Sequence, residues 1–166
     1  MKHTIEIPVC EHTKPSGISI SNRLWQYAKA DEAEYITKVH LKRCKLKAYL
    51  ASARAHDLSW QEMRPSSQEE YRLGYDINGF RQTLRRRRAL AFSEGLYTVT
   101  RKYTYARGLQ GQFGINDYIR LNKGEVLLYS HIDELDRLHF ITSDSRLVVI
   151  RGCEVDGIAR IAPIED

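Results

Sequence analysis

Arginine residues are concentrated at the centre of the chain, where Arg85 to Arg88 follow one another without interruption. A guanidinium donates paired hydrogen bonds that match the oxygens of a phosphate or the edge of a guanine, so these residues suit nucleic-acid chemistry. Apolar residues between Ile77 and Ala91 recur at helical spacing, which predicts a helix with polar outer and flanking positions. The candidate nucleic-acid contacts on this helix are Arg81, Gln82, Arg85 and Arg86.

The same arginine run also has a purely structural interpretation. On the predicted helix Arg86 points away from the apolar stripe, whereas Arg87 and Arg88 border it. These two are expected to extend past the apolar side chains or to pair with acidic residues of the C-terminal region. The run therefore also fits a solvated helix face held by ion pairs.

A basic and aromatic segment follows the arginine helix. Residues Leu96–Tyr105 predict the first strand of a β-ribbon, with Phe113–Leu121 as the second. Tyrosine rings beside basic side chains stack on bases and neutralise phosphates in proteins that bind single strands and RNA. Tyrosine is also a good strand former, which leaves a structural role open. The candidate contacts here are Arg101, Lys102, Tyr103, Tyr105 and Arg107.

Potential metal ligands gather in one short segment. A metal-dependent nuclease would need carboxylates around a divalent ion. The chain has no GxGxxG or GxxxxGK[ST] motif and no recognisable nucleophile–base set. We therefore predict no catalytic residue, no metal site and no cofactor, and keep a metal-dependent nuclease as the third alternative. The segment contains His131, Asp133, Glu134, Asp136 and His139, whose spacing matches no metal-binding signature.

Charge is distributed unevenly along the 166 residues. Residues 1–108 contain 20 Lys and Arg against 11 Asp and Glu, a net charge of +9, whereas residues 109–166 have a net charge of −4. Such a split can turn a positive face toward a polyanion and leave another face for a protein partner. We predict a basic helical region with the start of the ribbon at 1–108 and an acidic antiparallel β region at 109–166, packed as one domain.

The first half of the chain is predicted to be helical, because residues 18–73 contain no glycine and a single proline. Ser21 or Asn22 is predicted to cap a first helix that runs to about Ala30. Asp31 and Glu34 then have capping-box spacing, which predicts the start of a long helix over Glu32–His56. Pro65 is predicted to end this region. Ser67 and Glu70 repeat the capping-box spacing, which predicts a short helix to about Leu73. A turn at Gly74 and a helix over 77–93 follow, and this order before a ribbon is typical of a winged helix-turn-helix.

The long helix has two features that bear on partners. Three lysines on one flank, Lys38, Lys42 and Lys45, are further candidate nucleic-acid contacts. A second stripe of mostly small residues lies opposite the main apolar stripe. It fits packing in the protein interior, which is the favoured interpretation, or a homodimer contact. The stripe consists of Leu41, Cys44, Ala48 and Ala51.

The last third of the chain is predicted to be an antiparallel sheet or small barrel, with tight polar turns between short strands. Alternation at Ile5, Ile7 and Val9 predicts one more strand or an extended arm at the N-terminus. The fold class is therefore α+β, with a helical N-terminal half that includes a possible winged helix-turn-helix. The C-terminal strands are placed at 125–130, 137–142, 146–151 and 157–161.

Cysteine usage and hydropathy point to the cytosol. The three cysteines, Cys10, Cys44 and Cys153, have no metal-ligand spacing, and an odd count without a signal peptide favours reduced thiols. No stretch approaches the roughly 18 apolar residues of a membrane span, so no membrane contact is expected. We predict a cytoplasmic location.

The favoured function is non-enzymatic binding of DNA or RNA, as in a DNA-binding regulator, with contacts from the basic helices and the ribbon. The alternative is a small protein-interaction module or inhibitor, of the kind that phages and mobile elements encode. In that case the C-terminal β region docks on a larger nucleic-acid-processing partner.

Overall fold

The computed structural model describes residues 13–108 and 118–161, apart from the side chains of residues 152 and 153. A helical N-terminal half precedes a seven-stranded antiparallel sheet, which confirms the predicted mixed α+β class. The chain divides into two compact units, a helical unit (Pro8–Leu84) and a sheet unit that takes in Arg85–Asp166. The division predicted from charge is at residue 108. The predicted N-terminal strand at residues 5–9 lies outside the described residues.

The described part of the helical half contains α1 (Asn22–Trp25), α2 (Ala30–Ala55) and α3 (Trp60–Leu90). The Ser21 hydroxyl caps α1 by accepting a hydrogen bond from the Leu24 amide at 3.3 Å, and Ser21 is one of the two predicted caps. Helix α1 ends at Trp25, so its predicted end near Ala30 is wrong. Side chains also satisfy amides at the starts of the two longer helices, which otherwise lack partners there.

The two long helices begin at residues other than the predicted ones. The Glu32 carboxylate accepts from the Lys29 amide at 3.1 Å and so starts α2 before the predicted Asp31 cap. Ser59 and Glu62 each accept a hydrogen bond from the other's amide, at 3.3 and 3.0 Å, which is a capping box for α3. The predicted box at Ser67 lies inside α3 instead.

Helix α3 is continuous where the sequence predicted two helices. Pro65 and Gly74 both lie inside it, so the predicted end at Pro65 and the predicted turn at Gly74 are wrong. Leu73, Ile77 and Leu84 are all buried and form one stripe that runs past Gly74. Burial of each such side chain contributes about 1.5–3 kcal/mol, which exceeds the cost of about 1 kcal/mol for a helical glycine.

Among the described residues, the sheet unit contains seven strands in the order β3-β2-β6-β5-β4-β1-β7, with antiparallel neighbours. The predicted strand over 96–105 is in fact two strands, β1 and β2, which do not pair with each other. A winged helix-turn-helix is therefore not confirmed. Its predicted turn at Gly74 lies inside α3, and β1 does not pair with β3 to form the predicted ribbon. The strands are β1 (Leu96–Val99), β2 (Tyr103–Gly108), β3 (Tyr118–Asn122), β4 (Val126–Ile132), β5 (Leu138–Thr142), β6 (Leu147–Ile150) and β7 (Ile158–Arg160).

One face of the sheet carries the core of its unit. Phe140, Leu127 and Leu121 are fully buried on it, and Ala89 from the end of α3 packs in the same cluster. Strand β2 follows the same alternation, with Thr104 buried and its two neighbouring tyrosines exposed. The opposite face of the sheet is consequently the one that presents the strand side chains to solvent.

The second stripe of α2 does not pack in the interior, so the favoured interpretation of it is wrong. Leu41 is 55% exposed, and Cys44, Ala48 and Ala51 are exposed as well. The main stripe of the same helix, including Ile36 and Val39, is buried and satisfies the packing of α2. A homodimer contact at the second stripe stays a prediction. No helix in the described part of the chain is long and apolar enough to span a membrane.

Candidate nucleic-acid interface

The β2–β3 pair carries an outward row of aromatic and polar side chains. Tyr105 lies opposite Arg120 and Arg107 lies opposite Tyr118 in the strand register. Residues directly opposite each other in an antiparallel pair share a face. We call this outer surface the ribbon face, and it consists of Tyr103, Tyr105, Arg107, Tyr118, Arg120 and Asn122.

Tyrosine rings hold the arginines of the ribbon face. The guanidinium carbon of Arg120 lies 4.9 Å from the ring centroid of Tyr103. Tyr118 contacts two guanidiniums, that of Arg107 at 5.9 Å and that of Arg151, which follows β6, at 5.3 Å. Such cation–π contacts orient a guanidinium but leave its positive charge in place.

These guanidiniums are not neutralised within the described residues. Arg107, Arg120 and Arg151 form no ion pair there, and Arg120 bonds only to the neutral amide oxygen of Asn122, at 3.3 Å. Exposed Lys102 and Lys123 add two charges at one end of the ribbon, where the Lys123 amide donates to the Lys102 carbonyl at 3.2 Å. The ribbon face is therefore cationic and aromatic along its whole length.

The tyrosines of the ribbon face are accessible to a ligand. Tyr118 is 54% exposed, and Tyr103 and Tyr105 are each 41% exposed, with their rings 5.4 Å apart in an edge-to-face arrangement.

Comparison of the chain with protein-family models, with curated proteins and with solved structures found no match. What the ribbon face can do is therefore judged from its own chemistry, which combines stacking surfaces with positive charge.

Two predicted contacts, Arg85 from the helical run and Arg101 from the segment before β2, have a different environment from the ribbon face. Arg85 is an ion-pair partner of Asp156 at 3.4 Å and its side chain is only 15% exposed. Arg101 pairs with the same carboxylate at 3.5 Å, and also lies 4.0 Å from Glu154. The predicted contacts Arg85 and Arg101 therefore meet on one buried acid of the sheet unit, and their charge is compensated there.

The rest of the run divides between surface and core. Arg86 is 70% exposed and pairs with Asp136 at 2.9 Å. Arg88 is 5% exposed, and its guanidinium donates to the carbonyl of Ile158 and lies over the ring of Phe92. Arg88 is thus more deeply buried than a residue that merely borders the apolar stripe.

The remaining predicted contacts belong to the helical unit. The Arg81 guanidinium donates to the Ser19 carbonyl at 3.0 Å and to Asn78, whereas Gln82 is exposed. Lys38 pairs with Glu34 at 3.1 Å and Lys42 with Glu69 at 3.0 Å; hydrogen bonds from Arg72 and Lys42 lower the pKa of Glu69 to about 2. Exposed Lys45 forms no ion pair with a described residue.

The histidine and aspartate segment forms a hydrogen-bonded turn. The rings of His131 and His139 stack at 4.2 Å, and His139 Nε2 lies 2.8 Å from the Asp133 carboxylate. Burial would raise the pKa of Asp133, but hydrogen bonds from His139, from the amides of Arg137 and Leu135, and from the Arg137 guanidinium hold that pKa well below its usual range. In the part of the chain that the structure describes, no three such side chains are grouped to hold a metal ion.

Sequence reasoning missed half of the ribbon face. Tyr118 and Arg120 lie in the predicted second strand of the ribbon, but they were not among the predicted contacts because the sequence does not give the register that places them opposite Arg107 and Tyr105. Arg151 is distant in sequence and joins the face only through its contact with Tyr118. The signal that could have found them is the alternation of Tyr118, Arg120 and Asn122, which matches that of β2.

The same side of the sheet also carries a row of apolar residues. Leu96 pairs with Leu128, Leu128 with Ile141, and Ile141 with Leu147, across four neighbouring strands. Three of these side chains are 45–49% exposed, and Ile141 is half-buried. We call this set the apolar row, and it is a surface suited to contact with a protein partner.

Proposed function

We propose that this protein binds nucleic acid through the ribbon face. The observation that carries the proposal is that Arg107, Arg120 and Arg151 contact tyrosine rings and form no ion pair with a described carboxylate. An arginine held in this way keeps its charge and its hydrogen-bond donors for a phosphate. The helical arginines Arg85 and Arg86 lack this property because carboxylates already compensate their charge.

The tyrosines favour single-stranded or unpaired nucleic acid. A base can lie on an exposed ring only when it is not stacked inside a duplex, and each such stack contributes about 1–3 kcal/mol. Three partly exposed rings on one two-stranded ribbon offer such surfaces beside the basic groups. The proposed ligand is therefore a single strand whose phosphates contact the arginines and whose bases contact the tyrosines.

The test is a titration of fluorescently labelled single-stranded DNA and RNA, followed by anisotropy at about 50 mM salt. The double variant Arg107→Gln/Arg120→Gln should weaken binding by about tenfold or more, because it removes two charged donors. The matched control is Arg86→Gln/Arg137→Gln, which removes two arginines of the same unit that pair with carboxylates. Equal loss in both double variants would contradict the assigned face, and no binding by the wild-type protein would overturn the function.

A second candidate function is docking on a protein partner through the apolar row. Its support is the exposure of Leu96, Leu128 and Leu147 in one line across the sheet, since apolar side chains in the centre of a contact surface drive association. In this version the positive ribbon face lies on the same side and favours an acidic region of the partner.

Capture from a nuclease-treated lysate separates the two candidates. If the protein docks at the apolar row, a partner should still be captured after nuclease treatment. Leu128→Lys should abolish this capture, because a buried charge would disrupt the contact. Leu135→Lys is the control, since Leu135 is 72% exposed in the turn before β5 and is outside the row. Capture that needs intact nucleic acid, or that both variants retain, would argue against docking at the row.

A further inference from the structure

We propose that a cavity in the helical unit binds a phosphate monoester of nucleotide size. The cavity has a volume of about 300 Å³ and is lined by Arg43 from α2 and by Gly74, Tyr75 and Arg81 from α3, among others. Volumes of this order are typical at the small end of ligand-binding sites. The proposal concerns the helical unit only and does not rest on the ribbon face.

Arg43 is the main reason to assign an anionic ligand. Its Nε donates to the Glu70 carboxylate at 2.8 Å, which fixes the side chain. Its two terminal nitrogens have no hydrogen-bond partner among the described residues, and one of them, Nη2, lies next to the position that a side chain at residue 74 would occupy. A fixed guanidinium with free terminal donors at a cavity wall is suited to bidentate binding of phosphate oxygens.

Gly74 makes this position of Arg43 available. A Cβ atom at residue 74 would lie 2.9 Å from Nη2 and 3.0 Å from Cζ of Arg43, so the end of the arginine would have to move. Glycine is less favourable than alanine inside a helix. The absence of a side chain here therefore opens room for the guanidinium at a cost to the intrinsic stability of α3.

Arg81 supplies a second guanidinium to the same cavity. It donates to Ser19 and to Asn78, which leaves part of its five N–H donors for a ligand. No carboxylate of a described residue lines this cavity, and Glu70, which pairs with Arg43, also lies 3.9 Å from Lys47. The cavity therefore has two guanidiniums, whereas the one nearby carboxylate, that of Glu70, is shared between Arg43 and Lys47. The resulting positive charge suits a phosphate monoester.

The rest of the ligand has a place beside the tyrosines. Tyr71 and Tyr75 both line the cavity, their rings are 5.0 Å apart in an edge-to-face arrangement, and both are more than 60% exposed. An exposed ring offers a flat apolar surface to a base, and the cavity is larger than a phosphate alone needs. Free nucleotides and the phosphorylated end of a strand share this chemistry.

Calorimetric titration with AMP, adenosine and a 5′-phosphorylated oligonucleotide tests the assignment. Wild-type protein should bind AMP or the phosphorylated end, and adenosine should bind about tenfold more weakly or not at all. Gly74→Ala should weaken binding by about tenfold or more, because the new Cβ displaces the Arg43 guanidinium. Arg81→Gln should have a similar effect, whereas Arg54→Gln, on α2 but outside the cavity lining, should leave binding unchanged.

Gly74→Ala also controls for folding. Alanine favours a helix more than glycine does, so the variant should melt at the same temperature as the wild type or higher. Loss of AMP or strand-end binding in this folded variant supports the phosphate site, and the phosphorylated ligand that binds identifies the source. Equal binding of adenosine and AMP, unchanged affinity in Gly74→Ala, or no binding of either phosphorylated ligand would overturn it. None of these results depends on the ribbon face.

Discussion

Arg120 of β3 lies over the ring of Tyr103 of β2, with 4.9 Å between the guanidinium carbon and the ring centroid. The two residues are on neighbouring strands and on the same outer face, where Tyr103 pairs with Asn122 and Tyr105 with Arg120. A contact of this kind lets one base stack on aromatic or guanidinium surfaces while its phosphate meets a positive charge. It is the local arrangement on which the proposed nucleic-acid binding depends.

Two substitutions at Tyr105 should distinguish stacking of its ring on a base from the contribution of its hydroxyl group. Tyr105→Phe keeps the aromatic surface and should bind single-stranded DNA within about twofold of the wild type, whereas Tyr105→Leu should bind about tenfold more weakly. Anisotropy titrations at one salt concentration measure this difference. Equal affinities of the two variants would mean that the ring does not stack on a base.

The salt dependence of binding should report the number of phosphate contacts. Each contact to a single strand contributes about −0.7 to the slope of log K against log salt, so Arg107→Gln/Arg120→Gln should make the slope less steep by about 1.4. Titrations at salt concentrations from about 50 to about 200 mM give the slope. Arg86→Gln should leave it unchanged because Asp136 already pairs with Arg86.

Stability should separate two neighbours in the arginine run. Arg88→Ala should lower the free energy of unfolding by about 2–3 kcal/mol, because it removes a buried donor to the Ile158 carbonyl and leaves a cavity. Arg86→Ala should cost less than about 1 kcal/mol, as expected for an exposed ion pair. Urea denaturation followed by circular dichroism measures both; an equal or larger loss in Arg86→Ala would contradict the packing of Arg88.

Acid should destabilise the sheet unit partly through Asp133. Its pKa is held below the usual range in the folded protein, so its contribution is present above about pH 4, the ordinary aspartate range, and is lost as the pH falls toward the folded-state pKa. Asp133→Asn should therefore lower the melting temperature at pH 7 and reduce this difference from the wild type at pH 3. Exposed Glu134→Gln in the same turn is the control, and a difference that grows toward pH 3 would reverse the assigned sign.

Local patterns in the sequence determined several elements correctly. The Ser21 cap of α1 depends on a hydrogen bond three residues away, and the outward direction of Tyr103 and Tyr105 follows from alternation along one strand. The burial of Ile77 and Leu84 likewise follows from helical spacing. Each of these features depends on neighbours within one element, which is why composition and spacing alone predict it.

Only the tertiary structure decided which charges remain available. Arg85 and Asp156 are 71 residues apart and meet because the end of α3, from Arg85 onward, and the segment before β7 belong to the same unit. The partner strand of β2 brings Arg120 and Tyr118 to the ribbon face, and burial of a long stripe carries α3 through Gly74. Strand partners and ion pairs join distant residues, and their choice depends on the free energy of packing the whole unit, which no local pattern contains.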